Sequence, residues 1–74
     1  MTFENIFVRI KRIDKLIQLR ATGSATQLSK KLNISRKMTY NYLNLMKELG
    51  APIYYNKELR SFCYKEKGSF KIEF

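Results

Sequence analysis

Histidine is absent from this chain of 74 residues, cysteine occurs once, at Cys63, and acidic residues number only six. With no imidazole and a single thiol, neither an intramolecular disulfide nor a zinc site of the usual Cys/His kind can be built. The same shortage removes the common general bases and nucleophile pairs, the carboxylates are scattered, and no glycine-rich loop is present to cradle phosphates. The sequence therefore predicts no catalytic residue, no metal, no cofactor and no small-molecule effector, and the lone thiol fits a reducing compartment. No apolar run approaches the roughly 18 residues that a bilayer span requires, and the stretch from Met1 to Ile10 lacks the uninterrupted apolar core of a signal peptide. A cytoplasmic, non-enzymatic protein without a membrane partner is the expectation.

What the chain does contain is positive charge and apolar surface. Fifteen Lys and Arg against six Asp and Glu leave a net charge of +9, which suits a polyanionic partner; solubility or an anionic membrane are the competing uses of such charge. Hydrophobic residues make up 45% of the sequence, with five Phe and five Tyr, enough for a folded core. At this length the chain is one domain spanning residues 1–74, with no room for a second, ligand-sensing unit.

Ile6, Ile10, Ile13 and Ile17, with Leu16 beside them, recur at helical spacing and predict a helix over about 6–20. Its outer face carries Arg9, Arg12, Lys15 and Arg20, Thr2 to Asn5 is extended or frayed, and Gly23 supplies the left-handed stop. Ser24 and Gln27 match a capping box, which opens a second helix over about 25–33 with Leu28 and Leu32 inward, Lys30 and Lys31 outward and Asn33 at its end. Ile34 plugs the turn, and Ser35 caps a third helix over about 35–49 that Gly50 and Pro52 terminate. In that helix Thr39, Tyr42, Leu43, Met46 and Leu49 share one side. Arg36, Lys37, Tyr40, Asn41, Asn44 and Lys47 share the other, free of carboxylates until Glu48.

After Pro52 the composition turns aromatic and β-branched. Residues 53–65 read as a hairpin turning at Asn56 to Leu59, with Cys63 a small half-buried packing residue between Phe62 and Tyr64. Phe70, Ile72 and Phe74 alternate with Lys71 and Glu73 as a final strand over 70–74, apolar enough to pack on the domain or on a partner.

Two helices joined by a tight turn, the second capped and basic on its outer face, form the pattern of a helix-turn-helix motif. A helix fits the major groove, where short side chains and unpaired amides at its start approach phosphates and base edges. Thr26 to Leu49, with Leu28, Leu32, Ile34-Ser35-Arg36-Lys37, Tyr40, Leu43 and Leu49-Gly50, resembles the winged helix-turn-helix domains of bacterial transcription regulators of the DeoR and biotin-operon-repressor type. The continuation Gly50 to Ile53, then Tyr55-Asn56, Arg60 and Phe62 to Tyr64, is similar to the wing of that superfamily, so the likeness covers roughly residues 6–65.

The resemblance implies a mainly α fold, three helices with a small β-hairpin wing, and binding to double-stranded DNA. It assigns Ser35, Arg36, Lys37, Tyr40, Asn41, Asn44 and Lys47 to the groove face, and Lys57 and Arg60 to the wing. The chain departs from the pattern at Thr39 and at Asn41-Tyr42, where such regulators often carry an aliphatic residue and a basic-acidic pair. Asn41 thereby becomes a candidate reader of a base, for example adenine. Each position has a plainer use: solvated helix surface for Asn41 and Asn44, protection of a hairpin edge for Lys57 and Arg60.

The functions in contention are a small transcription regulator, a DNA-binding accessory factor of a mobile element, and a helix-turn-helix adaptor for protein. RNA is a further option, with Tyr54 or Phe62 as stacking residues. A polar third-helix face favours nucleic acid over an adaptor. A homodimer through helix one or through the Phe70-Ile72-Phe74 segment would double the contacts.

Overall fold

The computed structural model describes the backbone of residues 3–65 and the side chains from Asn5 onward. Its elements are α1 (Phe3–Gln18), α2 (Ala25–Leu32), α3 (Arg36–Glu48), β1 (Ile53–Asn56) and β2 (Ser61–Tyr64). The expected three helices and hairpin are all present and in order. The final strand expected at 70–74 lies outside the described residues.

Helix α1 starts earlier than its apolar period indicates, since Phe3 to Asn5 are helical. A helix once nucleated gains one hydrogen bond for each residue added, so its ends outrun the residues that bury a face. It also stops sooner than expected. The left-handed residue is Arg20 (φ 54°), not Gly23. Around it Arg20 N donates to Ile17 O (3.0 Å) and Ala21 N to Leu16 O (2.9 Å), the paired bonds that close a helix end. An arginine is an unpromising candidate for that conformation, which costs an L residue roughly 1 kcal/mol. Gly23 has positive φ (71°) for a different reason: a Cβ there would lie 2.3 Å from Oε1 of Gln27 and displace the cap of α2.

That cap is the expected box. Gln27 N donates to Ser24 Oγ (3.2 Å) and Ser24 N donates to Gln27 Oε1 (2.8 Å). Asn33 ends α2 in the left-handed region, φ 57° and ψ 44°. Ser35 then caps α3 by accepting from Met38 N at 3.1 Å, and Gly50 (φ 104°) closes it, with Ala51 N on Met46 O at 2.9 Å. Leu49, expected on the core side, is 51% exposed. It follows the last helical residue and lies off the centre of the buried stripe, so no neighbouring element covers it.

Ile10, Ile13 and Ile17 of α1, Leu28 and Leu32 of α2, and Tyr42, Leu43 and Met46 of α3 form the core, closed from the hairpin side by Ile53 and Phe62. Tyr42 is accommodated despite its size: its ring is buried, and its hydroxyl accepts a hydrogen bond from Arg9 Nη1 at 3.3 Å. Arg9, read as outward-facing, is thus turned partly inward. Thr39 is fully buried and donates its hydroxyl to Ser35 O (3.0 Å), which satisfies a polar group in an apolar stripe.

The strands pair antiparallel with Asn56 opposite Ser61 and Tyr55 opposite Phe62. At the turn, Asn56 Oδ1 accepts from the amides of Glu58 and Leu59, both at 3.0 Å, and Arg60 (φ 52°) returns the chain to β2. Strand β2 does not alternate in burial. Ser61, Phe62 and Cys63 are all buried, so the half-buried reading of Cys63 is corrected. β2 has β1 on one edge and the loop joining α1 to α2 on the other, and it also packs on α1, so side chains on both of its faces are covered.

Thr22 makes that second contact. Phe62 N donates to Thr22 Oγ1 (2.8 Å), Thr22 N donates to Ser61 Oγ (3.2 Å), and the two hydroxyl oxygens lie 3.0 Å apart. Both side chains are fully buried. Their hydroxyl protons choose among the carbonyls of Gly23 and Phe62 and each other. The result is a dry polar clasp that fastens the hairpin to the helices.

A second fastening joins β2 to the middle of α1, where Tyr64 donates to Asp14 Oδ1 at 2.5 Å. Partial burial, and then the hydrogen bond and charge of Asp14, push the Tyr64 hydroxyl well above the ordinary tyrosine range. In the unfolded chain the same group ionises near pH 10. Its protonated state therefore contributes stability below that pH, and the contribution is lost as pH rises beyond it. Denaturant unfolding of wild type and Tyr64→Phe should show a stability gap at about pH 8 that narrows by about pH 11. A gap that stays constant would refute this role.

Candidate nucleic-acid interface

Helix α3 is held by Thr39, Tyr42, Leu43 and Met46, all buried, and turns the rest of its circumference outward. At about 100° per residue, Lys37, Asn41, Asn44 and Glu48 lie nearest the middle of the outward face. Arg36, Tyr40 and Lys47 run along one flank. All of these side chains are exposed, Tyr40 by 44%.

Six of the groove-face residues predicted from sequence, Arg36, Lys37, Tyr40, Asn41, Asn44 and Lys47, come together on it, and Ser35 stands at its head as the cap. Glu48 bounds the basic stretch at the far end, about 18 Å along the axis from Arg36.

Asn41 sits at the rim of an open groove lined by Ile6, Met38, Tyr42 and Leu45, and its amide contacts Met38 Sδ at 3.8 Å, a weak bond. The amide therefore retains most of its donor and acceptor capacity.

The electrostatics of the helix start are unfavourable in isolation. Arg36 and Lys37 occupy the first turn of α3, which has no acidic residue, so their charges oppose the positive end of the helix dipole. Each such placement costs up to about 1 kcal/mol, relieved when a phosphate stands nearby. Lys57 and Arg60 are exposed in the hairpin loop, with Leu59 between them 47% exposed.

Of the two aromatics considered for base stacking, Phe62 is closed off. It is 8% exposed and meets Tyr55 edge-on, ring centroids 5.1 Å apart. Tyr54 stays exposed beside it.

Sequence reasoning missed what orients this face. Nothing in the spacing links Thr22 to Ser61, or Arg9 to Tyr42, across 39 and 33 residues. The available signal was only that small polar residues interrupt otherwise apolar stretches.

Three helices, a capped second helix of the motif and a two-stranded wing define a winged helix-turn-helix protein. A family model described as an HTH domain matches residues 9–58, which includes every element except the start of α1 and strand β2. The chain belongs to this family of helix-turn-helix DNA-binding domains. No curated protein and no solved structure matches it significantly. Among the described residues, no helix is long and apolar enough to cross a membrane.

Proposed function

We propose that this protein binds double-stranded DNA sequence-specifically as a small transcription regulator of bacterial type, with α3 seated in the major groove. The observation that carries this reading is the outward face of α3, where cations, amides and a tyrosine share one side and no carboxylate intervenes before Glu48.

In this arrangement Arg36, Lys37 and the first-turn amides that Ser35 leaves uncapped engage phosphates at the helix start. Tyr40 and Lys47 hold the backbone along the flank, Asn41 and Asn44 read base edges, and Lys57 and Arg60 follow the adjacent backbone from the wing. An accessory factor of a mobile element would use the same contacts. Such a role differs in its biological setting, not in its chemistry.

Of the two routes to a homodimer, pairing through α1 would set Lys11, Arg12 and Lys15 of one copy against the same cations of the other. The route through 70–74 lies outside the described residues.

Selection from a random duplex library tests the reading. Wild type should enrich a motif, and Asn41→Ala should relax the preference at one base pair, a loss of roughly 1–3 kcal/mol of discrimination there, while leaving the other positions unchanged. If no motif emerges and all binding disappears by moderate salt, sequence-specific recognition is wrong.

A further inference from the structure

Helix α1 also presents an outward face. Ile10, Ile13 and Ile17 face the core, and on the opposite side stand Val8, Lys11, Arg12, Lys15 and Leu19, all exposed. Val8 at 61% and Leu19 at 64% are the most exposed large apolar side chains among the described residues. Leu19 continues the helical spacing through its bond to Lys15 O (3.0 Å), so the two aliphatic groups stand about 16 Å apart along the axis with the cations between them.

Asp14 does not neutralise this patch. Its carboxylate accepts from Tyr64 and from Gln18 Nε2 (2.9 Å) at the side of the helix facing β2. Lys11 rests over the Phe7 ring, 4.7 Å from its centroid, and among the described residues no acid pairs with its charge.

We infer that the outward face of α1 is a docking surface for an acidic amphipathic helix of another protein, engaged while α3 is occupied by DNA. Three chemical features choose this occupant. Adjacent cations repel a second copy of the same face. A duplex would meet the charges yet leave Val8 and Leu19 against phosphates and sugar, with no apolar surface to cover. A helix bearing carboxylates between two apolar residues satisfies both the charge and the spacing.

The test uses a fluorescein-labelled helical peptide of Glu, Ala and Leu, with leucines at the separation of Val8 and Leu19, and a control peptide in which both leucines are alanine. Anisotropy should show the leucine peptide binding about tenfold more tightly than its control. Val8→Ser/Leu19→Ser should remove that difference at unchanged charge, and Lys11→Glu/Arg12→Glu/Lys15→Glu should abolish binding of both peptides. All five side chains are exposed, and circular dichroism should show that each variant remains folded at the temperature of the assay.

Equal binding of the two peptides overturns the proposal, since charge alone would then explain it. So does loss of duplex binding in the triple variant as large as that caused by substitution on α3, which would assign the surface to DNA.

Discussion

Thr22→Val is expected to destabilise the domain by about 2 kcal/mol although it exchanges side chains of nearly equal size. The valine leaves the buried amide of Phe62 without its acceptor, while the Ser61 hydroxyl loses one contact and keeps Thr22 N and Phe62 O, in a site buried from solvent. Unmet polar groups of that kind cost roughly 1–3 kcal/mol each. For a domain of this size the loss corresponds to a fall in thermal midpoint of roughly 15 °C. Thr22→Ser keeps the hydroxyl and should cost far less. A double-mutant cycle with Ser61→Ala should show coupling between the two positions, as groups in one hydrogen-bond network do. A midpoint for Thr22→Val within a degree or two of wild type would show that the clasp does not hold the hairpin.

The second large effect concerns binding and has the opposite sign in stability. Arg36→Ala/Lys37→Ala is expected to weaken duplex binding about thirtyfold, corresponding to about 2 kcal/mol from two phosphate contacts. It should also reduce the slope of log affinity against log salt by about 1.8, because about 0.9 of a counterion is released per contact. The same double substitution should leave the free protein equally stable or slightly more so. It removes two cations from the positive end of the α3 dipole and introduces the best helix-forming residue. Loss of affinity together with loss of stability would mean that the variant acts through folding. Unchanged affinity at low salt would remove Arg36 and Lys37 from the interface.

Much of the local structure was legible in the sequence because it depends on residues close together along the chain. Ser24 with Gln27, Asn33, Ser35 and Gly50 set the bounds of α2 and α3 through bonds spanning a few residues, and each cap formed as its residue type predicts. The isoleucine period of α1 and the leucine pair of α2 foretold their buried faces. The outward set on α3 followed from the same arithmetic, which is why Arg36, Lys37, Tyr40, Asn41, Asn44 and Lys47 were found together.

The misreadings have a common cause. Gly23 was the obvious stop for α1, yet the turn falls at Arg20, because Thr22 must reach the start of β2 and Gly23 must pass close to Gln27. Leu49 continued the apolar pattern of α3 but extends past the last element that could cover it. A place between two aromatics in a strand suggests half burial for Cys63, whereas side chains on both faces of β2 are buried.

By itself the sequence determined the three helices, the caps of α2 and α3, the hairpin and the polar, cationic character of one face of α3, since propensity, capping and periodicity act over a few residues. Only the tertiary structure decided which polar groups would be buried together and which apolar ones left outside. The Thr22–Ser61 clasp, the Arg9–Tyr42 and Asp14–Tyr64 contacts and the exposure of Val8 and Leu19 all depend on how elements far apart in the chain close against one another. That arrangement is fixed by packing and by the need to satisfy every buried donor and acceptor, conditions that no local window of sequence contains.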